Sequence, residues 1–494
     1  MNNIIVLPLI IPIMTAVILV FLRNNIILQR IISLITMVFV TAISILLLLN
    51  VEADGIMKID FGGWLPPFGI LFVADSFSLL LVITANIVAI LCLIYSFSTI
   101  GFRHENMFFY PFVLLLIAGV NGSFLTGDIF NLFVCFEVML LASYVLIALG
   151  GEKVQLRESI KYVLINVVTS WIFLVALAYL YGTLKTLNMA HIAERVAEVG
   201  QDPLITTVAI LFLIVFSIKA GLLLFFWLPG SYIVPPTAVQ ALFAALLTKV
   251  GVYALIRTFT LMFPLNQEVT HTLIGIMAGI TIVLGCMGAM SGKDVYTIAT
   301  YNVIIGVGFI LIGLAAGTET ALSGAIYYLI HDMLAKGLLF LLVGTMVYLT
   351  GETIVKRMSG LIQNYPLFGW IFFIVLLTLT GMPPFSGFVG KILIGQGAIE
   401  AGSYVLLTIG FASSIIVLYS LLRIFLASFF GETTVSEEDK KPIPKGVMVS
   451  FILFTIAIIY LGVGAESLSI YVQDAARTLI NPSIYIDAIL GEGI

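Results

Sequence analysis

The fold of this chain is decided by an apolar stretch that contains one lysine and ends in prolines: residues 203–236, PLITTVAILFLIVFSIKAGLLLFFWLPGSYIVPP. Its apolar part, 203–228, is long enough to cross about 30 Å of hydrocarbon as a helix. Lys219 lies inside this run, and Pro229 follows it. Proline removes a backbone donor and clashes with the preceding turn. The stretch therefore predicts a membrane-crossing helix that carries a charge and is interrupted near its end.

The composition of the whole chain agrees with this interpretation. Of its 494 residues, 61% are hydrophobic and only 10% are charged, and the mean hydropathy is +1.19. One water-soluble core cannot hide that much apolar surface, so the chain is predicted to be an integral membrane protein that crosses the bilayer many times. A net charge of -4 provides no basic face, which argues against a nucleic-acid partner.

Apolar runs of membrane-spanning length predict an all-α protein with fourteen transmembrane helices. Outside them, residues 51–68 favour a short hairpin and 188–199 a surface helix. The predicted spans are 3–22, 28–50, 70–99, 108–126, 128–150, 157–183, 203–228, 236–257, 270–290, 295–316, 319–349, 365–382, 402–430 and 446–464.

The basic residues predict the orientation of these spans. An even number of crossings places both termini on one side, and lysine and arginine collect in loops on the cytoplasmic side. Eleven basic residues fall on the side opposite the termini and five on the side of the termini. Both termini are therefore predicted to be extracytoplasmic. The eleven are Arg23, Arg30, Arg103, Lys153, Arg157, Lys293, Lys356, Arg357, Lys440, Lys441 and Lys445; the five are Lys58, Lys185, Arg195, Arg257 and Arg477.

Five ionisable residues lie in the predicted spans or beside a break in them, namely Glu137, Lys219, Lys249, Lys336 and Lys391. A charge at the centre of a bilayer costs roughly 2.5–3.5 kcal/mol on insertion scales, so such residues usually mark an ion pathway. Snorkelling to the interface is the simpler explanation for a lysine near the end of a span, and it applies most readily to Lys391.

A second interrupted helix is predicted at Pro383 and Pro384, five spans after the first. Either break alone is compatible with a tolerated kink. Two breaks in corresponding positions, each near a lysine, indicate a transporter built from inverted repeats. The proposed division is a single polytopic domain, 1–494, with five-helix repeats at 108–257 and 270–430. Residues 431–494 then form a loop, the last helix and a short C-terminal tail.

The eleventh span contains a cluster of His331, Asp332 and Lys336. Asp332 and Lys336 are four residues apart, so they share a helix face and can form an ion pair. A proton relay and a purely structural ion pair are both compatible with this spacing. The same alternatives hold for His331, which suits proton transfer but is also common as a packing residue.

The transported ion is predicted to be the proton. A buried lysine that alternates between paired and unpaired states can accept and release a proton. Sodium requires several oxygen ligands and is repelled by ammonium groups, whereas the deep carboxylates are few. Cys92, Cys135 and Cys286 are far apart in the sequence, so no metal site, redox cofactor or catalytic site is predicted.

Four motifs give the chain a family resemblance. They are GDIFNLFVCFE at 127–137, the segment from Lys219 to Lys249, HDMLAK at 331–336 and GMPPFSGFVGK at 381–391. The sequence resembles the antiporter-like family shared by respiratory complex I (NADH:quinone oxidoreductase) and the Mrp multisubunit sodium/proton antiporters. The resemblance extends over the whole chain.

This resemblance implies roles for the buried residues. Glu137 would pair with Lys219, Lys249 and Lys336 would be central relays, and Lys391 would lie at the exit. It also implies a subunit of a bacterial plasma-membrane hetero-oligomer in which proton inflow drives sodium efflux, with sodium passing through a partner subunit. Two alternatives are a proton-pumping subunit of a complex I-like respiratory enzyme and a structural membrane scaffold.

Overall fold

The structure is a computed structural model, and it describes residues 2–200, 202–264, 267–433 and 440–491. Within these residues twelve helices are long and apolar enough to cross a membrane, and two shorter apolar helices accompany them. The helices are α1 (Asn3–Phe21), α2 (Ile26–Asp54), α3 (Ser76–Thr99), α4 (Phe109–Leu125), α5 (Ile129–Ile147), α6 (Lys153–Leu184), α7 (Met189–Val199), α8 (Pro203–Ala220), α9 (Thr237–Met262), α10 (Gln267–Ser291), α11 (Val295–Ala316), α12 (Glu319–Thr350), α13 (Pro366–Thr380), α14 (Ser386–Glu400), α15 (Tyr404–Phe429), α16 (Lys445–Val463), α17 (Ala465–Ile480) and α18 (Pro482–Leu490).

The predicted all-α membrane class is confirmed. Each predicted span overlaps one of these helices, and the two shorter apolar helices are α4 and α13. The third span begins later than predicted, because residues 71–74 form a β-strand and α3 begins at Ser76. The full count of fourteen crossings and the inverted repeats stay predictions.

The centre of the bundle is formed by α9, α11 and α12. Helix α9 is buried along its whole length, and α11 and α12 are buried along most of theirs. Helices that are apolar all round belong in the interior of a bundle, whereas α1 and α15 expose one side. The central helices α9 and α12 also carry Lys249, His331, Asp332 and Lys336, so the charges lie where the protein shields them best.

The first helix break begins earlier than the prolines indicate. Helix α8 ends at Ala220, Gly221 adopts a left-handed conformation with φ of +75°, and Leu223 has φ of +60°. The Leu223 amide donates a hydrogen bond of 2.7 Å to the hydroxyl of Thr281 on α10. The prediction that Pro229 interrupts the helix is therefore wrong in position. Pro229 is the second residue of a single helical turn, Leu228–Ser231, which lies after the point where the chain has already unwound.

The second break agrees with the prediction. Helix α13 ends at Thr380, residues 381–385 are not helical and include Pro383 and Pro384, and α14 begins at Ser386. Gly381 closes α13 in the left-handed region with φ of +86°. Glycine adopts this conformation without the steric cost that a side chain imposes.

The predicted hairpin and surface helix lie beside the first and last helical segments that the structure describes. Strand β1 (Met57–Asp60) pairs antiparallel with β2 (Leu71–Ala74). The Lys58 ammonium donates to the Ile489 carbonyl oxygen at 2.5 Å, which joins this hairpin to the C-terminal region. Strand β1 also packs against the 3₁₀-helical residues Asn2–Val6, with which α1 begins, and α18 packs against α7.

The region predicted as a short tail contains two further helices, α17 and α18. Helix α17 buries Val472, Ala475, Ala476 and Leu479 and packs against α12 and α3. This spacing of three and four residues is that of an amphipathic helix, with its opposite side exposed. The run is too polar for its sequence to predict a membrane span.

Candidate functional site

The most deeply buried charges form an ion pair between the two central helices. Lys249 on α9 lies with its Nζ 2.8 Å from Oδ2 of Asp332 on α12, and neither side chain is exposed. The same ammonium donates to the Ala244 carbonyl oxygen at 3.0 Å. Ala244 belongs to a π-helical turn, Phe243–Leu247, directly before the α-helical part that carries Lys249. Such turns distort the normal helical ladder and are frequent at functional sites.

Asp332 is shared by two lysines. Its Oδ1 lies 3.8 Å from the Nζ of Lys336, one turn further along α12. The pair predicted from the four-residue spacing is therefore present, but the closer partner is Lys249 from another helix. Gly306 on α11 makes room for the carboxylate, because a Cβ at this position would lie 2.9 Å from Asp332 Oδ1.

Lys219 and Glu137 are linked through a serine and not by direct contact. The Lys219 ammonium donates to the Ser170 hydroxyl on α6 at 3.2 Å, and that hydroxyl donates to Glu137 Oε1 on α5. Among the residues that the structure describes, no Lys219–Glu137 ion pair is found within 4 Å. The direct pair expected from the resemblance is therefore corrected to a bridged one. Lys219 also lies 5.5 Å from the centre of the Phe136 ring.

Glu137 faces the outside of the bundle more than expected. Its side chain is half-buried, and it shares a helix face with Phe130, Val134 and Leu141, which are 40%, 39% and 59% exposed. A carboxylate on such an apolar outer face is costly in lipid.

Lys391 is buried and does not snorkel. Its Nζ donates to the carbonyl oxygens of Leu379 and Thr380 at 3.2 and 2.8 Å and to the Ser414 hydroxyl at 2.8 Å. These carbonyls lie at the C-terminus of α13, where four carbonyl groups lack helical partners and the helix dipole favours a cation. Lys391 of α14 thus caps the C-terminus of α13.

His331 connects α12 to the second break. Its Nδ1 lies 2.9 Å from the hydroxyl of Ser386, the first residue of α14, and its ring centre is 5.0 Å from that of Tyr328. The other ring nitrogen, Nε2, has no hydrogen-bond partner among the described residues. Lys391 lies 5.9 Å above the same Tyr328 ring, so Tyr328 contacts both groups.

The predicted residues therefore fall into two groups on touching helices. The first comprises Glu137 and Lys219, and the second comprises Lys249, His331, Asp332, Lys336 and Lys391. Helix α9 passes directly behind Lys219, since a Cβ on Gly251 would lie 2.8 Å from the Lys219 carbonyl carbon.

Sequence reasoning missed the hydroxyl partners and one ion pair. Ser170, Ser386 and Ser414 are ordinary polar residues in apolar helices, and no spacing distinguishes them. The predicted spans place Arg257 at a loop, but it is 4% exposed in α9 and its Nη2 lies 2.6 Å from Asp75 Oδ2. The prediction is wrong because α9 continues to Met262 through a second π-helical turn.

Comparisons with known proteins agree with this fold. The family described as "NADH:quinone oxidoreductase/Mrp antiporter, TM" matches residues 126–417. The D-type Na(+)/H(+) antiporter subunit of Bacillus subtilis is 45% identical over 493 residues, which cover 100% of both chains. A chain in the structure of the Mrp complex from Dietzia sp. DQ12-45-1b is 28% identical with a TM-score of 0.93, covering 99% of this chain and 100% of that one.

A chain of respiratory complex I from Thermus thermophilus with bound NADH shares the fold, with a TM-score of 0.84 and 23% identity over 97% of this chain and 99% of that one. The family match covers more than half of the sequence, and the B. subtilis relative covers all of it. This chain therefore belongs to the NADH:quinone oxidoreductase/Mrp antiporter transmembrane family.

Proposed function

We propose that this chain is the proton-translocating subunit of a multisubunit sodium/proton antiporter. The observation that carries the proposal is the Lys249–Asp332–Lys336 cluster, three charges held at 0–2% exposure in the centre of the bundle. Breaking such a buried group is costly and retaining it rarely adds net stability, so a functional role is the better explanation. Transport, and not catalysis, is the activity assigned to the chain.

The geometry suits a relay that has two arrangements. Asp332 lies 2.8 Å from one ammonium and 3.8 Å from the other, so it stabilises the charge of Lys249 more than that of Lys336. Moving the carboxylate toward Lys336 would reverse this preference and favour release of a proton from Lys249. Proton transfer would then follow the shift of one buried carboxylate.

The two ends of the relay are assigned to the helix breaks. Lys219 lies in the last turn of α8, and Lys391 closes the end of α13. In the proposed inverted repeats, 108–257 and 270–430, these positions correspond. Glu137 with Ser170 then supplies the first end, and His331 with Ser386 connects the second end to the centre. The exchange of protons between the two groups requires water or side-chain motion between α8 and α9.

Partner subunits are assigned to two outer surfaces. One is the apolar outer face of α5 around Glu137, a half-buried residue. The other is the break at Met382, Pro383 and Pro384, three exposed residues with non-helical backbone. Non-helical backbone facing lipid leaves polar groups unsatisfied, so covering by another protein is the expected solution.

Sodium is assigned to a partner because the relay is built from ammonium groups. The location proposed is the bacterial plasma membrane, with both termini extracytoplasmic. Because Arg257 is buried in α9 and does not lie in a loop, four basic residues remain in loops on the side of the termini, against eleven on the opposite side. This larger asymmetry supports the proposed orientation.

The second candidate is a proton-pumping subunit of a respiratory enzyme, because the family that matches includes both classes. The likeness to complex I at 23% identity concerns the fold alone. Neighbouring genes separate the two candidates, since companion antiporter subunits favour the first and NADH dehydrogenase subunits the second.

Lys219→Ala in the intact complex tests the proposal. We expect sodium-dependent proton flux to fall at least tenfold with normal assembly, since the substitution removes the charge that Ser170 links to Glu137. Lys161→Ala is the matched control, because Lys161 is an exposed lysine on α6 that pairs with Glu158 at 2.9 Å. Unchanged flux in an assembled Lys219→Ala complex would favour the scaffold alternative.

A further inference from the structure

A groove of about 940 Å³ opens between α10 and α15 at the end where both helices begin. This volume is near the upper end of the roughly 300–1,000 Å³ that is typical of ligand sites. Its apolar lining includes Ile276, Ile280, Leu284, Leu406 and Ile409. None of the described lining residues belongs to the ion cluster or to either helix break, so the groove is separate from the proposed relay. We refer to it as the α10–α15 groove.

Two glycines of α10 create the space in the α10–α15 groove. Gly275 and Gly279 lie one turn apart and both line it. A Cβ on Gly275 would lie 3.0 Å from Leu406 Cδ1 of α15, and one on Gly279 would lie 3.5 Å from Leu406 Cδ2. Side chains larger than alanine at these positions would therefore fill the groove. Beside the glycines, the exposed side chains of Ile276 and Ile280 also line it.

The length of the groove matches one leaflet of the bilayer. From Gly275 to Leu284, its apolar part follows α10 for about 14 Å, and half of a hydrocarbon core is about 15 Å. At the other end the two helices are joined, because Arg423 of α15 donates to the carbonyl oxygens of Ala289 and Met290 at 3.2 and 2.8 Å. An acyl chain fits this length, whereas a partner's membrane-spanning helix needs about twice as much.

Polar side chains lie at the end of the groove where α10 and α15 begin. They are Gln267, Glu268, His271, Thr272, Ser403 and Tyr404. Among the described lining residues Glu268 is the only carboxylate, and there is no lysine or arginine. A lipid headgroup with a net negative charge would be repelled by Glu268, whereas a headgroup ammonium would be attracted by it. The charge of the groove therefore favours a zwitterionic phospholipid.

Hydrogen-bond donors at the same end suit the phosphate of such a headgroup. His271 is 7% exposed, and its Nδ1 lies 3.2 Å from the Thr270 hydroxyl. Its Nε2 has no hydrogen bond within the described part of the chain. The side chain of Ser403 does not cap α15, so the amides of Val405 and Leu406 have no acceptor there either. Free amides at the start of a helix attract phosphate groups.

We infer that the α10–α15 groove binds one phospholipid whose headgroup carries an ammonium, as in phosphatidylethanolamine. One acyl chain lies along Gly275 and Gly279, the ammonium pairs with Glu268, and the phosphate accepts hydrogen bonds from His271 and the first amides of α15. In the proposed orientation this lipid belongs to the extracytoplasmic leaflet. The inference goes beyond the transport assignment and does not depend on it.

Photocrosslinking tests the position of the lipid in the intact complex. The complex is reconstituted in vesicles of phosphatidylethanolamine and phosphatidylglycerol that contain a small fraction of phosphatidylethanolamine with a diazirine in one acyl chain. Mass spectrometry then locates the label. We expect residues 275–284 and 404–409 to be labelled at least fivefold more than the peptide around Met287, an exposed residue of α10 outside the groove. Equal labelling would indicate surrounding lipid only, and an unlabelled groove would indicate a covering partner subunit. Either result would overturn the inference.

Glu268→Gln tests recognition of the headgroup, because it removes the charge that attracts the ammonium. We expect labelling of the groove to fall at least threefold. In the unsubstituted complex, unlabelled phosphatidylethanolamine should displace the label at least fivefold better than phosphatidylglycerol does. Glu319→Gln is the matched control, since Glu319 is an exposed carboxylate in the first turn of α12, outside the groove. Unchanged labelling in Glu268→Gln, or equal displacement by the two lipids, would overturn the inference.

Gly279→Phe tests occupancy by filling the space of the acyl chain. The position accepts a Cβ, which would meet only the ends of Leu406 and Ile409 at 3.5 and 3.6 Å. We expect the complex to lose one bound phosphatidylethanolamine, counted by native mass spectrometry. Met287→Phe is the control, because it adds the same ring on the exposed side of α10. An assembled Gly279→Phe complex that retains every lipid would overturn the inference, and labelling of the unsubstituted complex decides if this variant does not assemble.

Discussion

Asp332→Asn changes one charge in the cluster and almost nothing else, because asparagine has nearly the same shape. The substitution leaves Lys249 and Lys336 buried without the carboxylate that lies 2.8 and 3.8 Å from them. Removing one partner of a buried ion pair costs roughly 3–5 kcal/mol. We expect a cost near the lower end of this range, because Lys249 keeps its hydrogen bond to the Ala244 carbonyl oxygen.

The expected effect on the transport rate follows from this free-energy cost. If about 3 kcal/mol of this interaction acts on the transfer step, the rate falls by about a hundredfold, since each 1.36 kcal/mol is a factor of ten. The assay uses the intact complex in liposomes that contain a pH-sensitive dye, with a sodium gradient imposed and the initial rate of proton movement recorded. Native gel electrophoresis checks assembly.

A double substitution separates transport from stability. Lys249→Met with Asp332→Asn removes both members of the closer pair, so part of the thermal stability lost in Asp332→Asn returns while flux stays low. An assembled Asp332→Asn complex that transports within twofold of the unsubstituted complex would refute the reasoning.

Two further substitutions test how the site is built. Gly306→Ala is expected to lower flux at least tenfold, because its Cβ would lie 2.9 Å from Asp332 Oδ1 and displace the carboxylate, whereas Gly182→Ala meets no atom within 4 Å and leaves flux unchanged. Arg257→Gln is expected to lower the free energy of unfolding by roughly 3 kcal/mol, because it leaves the Asp75 carboxylate without its ion-pair partner. The complexes that assemble are expected to keep their proton flux. A large loss of flux at full assembly would place Arg257 in the relay.

The sequence predicts the helices well because an apolar run of fixed length is a local property. The second break is equally local, since Pro383 and Pro384 cannot continue a helix. The first break depends on a tertiary contact, the hydrogen bond from Leu223 to Thr281 on another helix. The prolines that follow it therefore indicate a break without giving its position.

The site shows the same division between local and tertiary information. The Asp332–Lys336 pair follows from a spacing of four residues, whereas the closer Lys249–Asp332 pair joins positions 83 residues apart in the sequence. Ser170 between Lys219 and Glu137 carries no sequence signal. Lys391 lies close enough to the end of a predicted span to snorkel. It stays buried because its ammonium donates to the Thr380 carbonyl oxygen at the C-terminus of α13, a contact that the sequence does not reveal.

Lys249→Met in the reconstituted complex tests the central claim most directly, because Lys249 is fully buried and methionine is similar in length but carries no charge. Sodium efflux and proton uptake are measured together under an imposed proton gradient. The account predicts that both fall at least tenfold while assembly is preserved, since the proton relay and sodium movement are coupled. Proton uptake at the unsubstituted rate in an assembled Lys249→Met complex would contradict it.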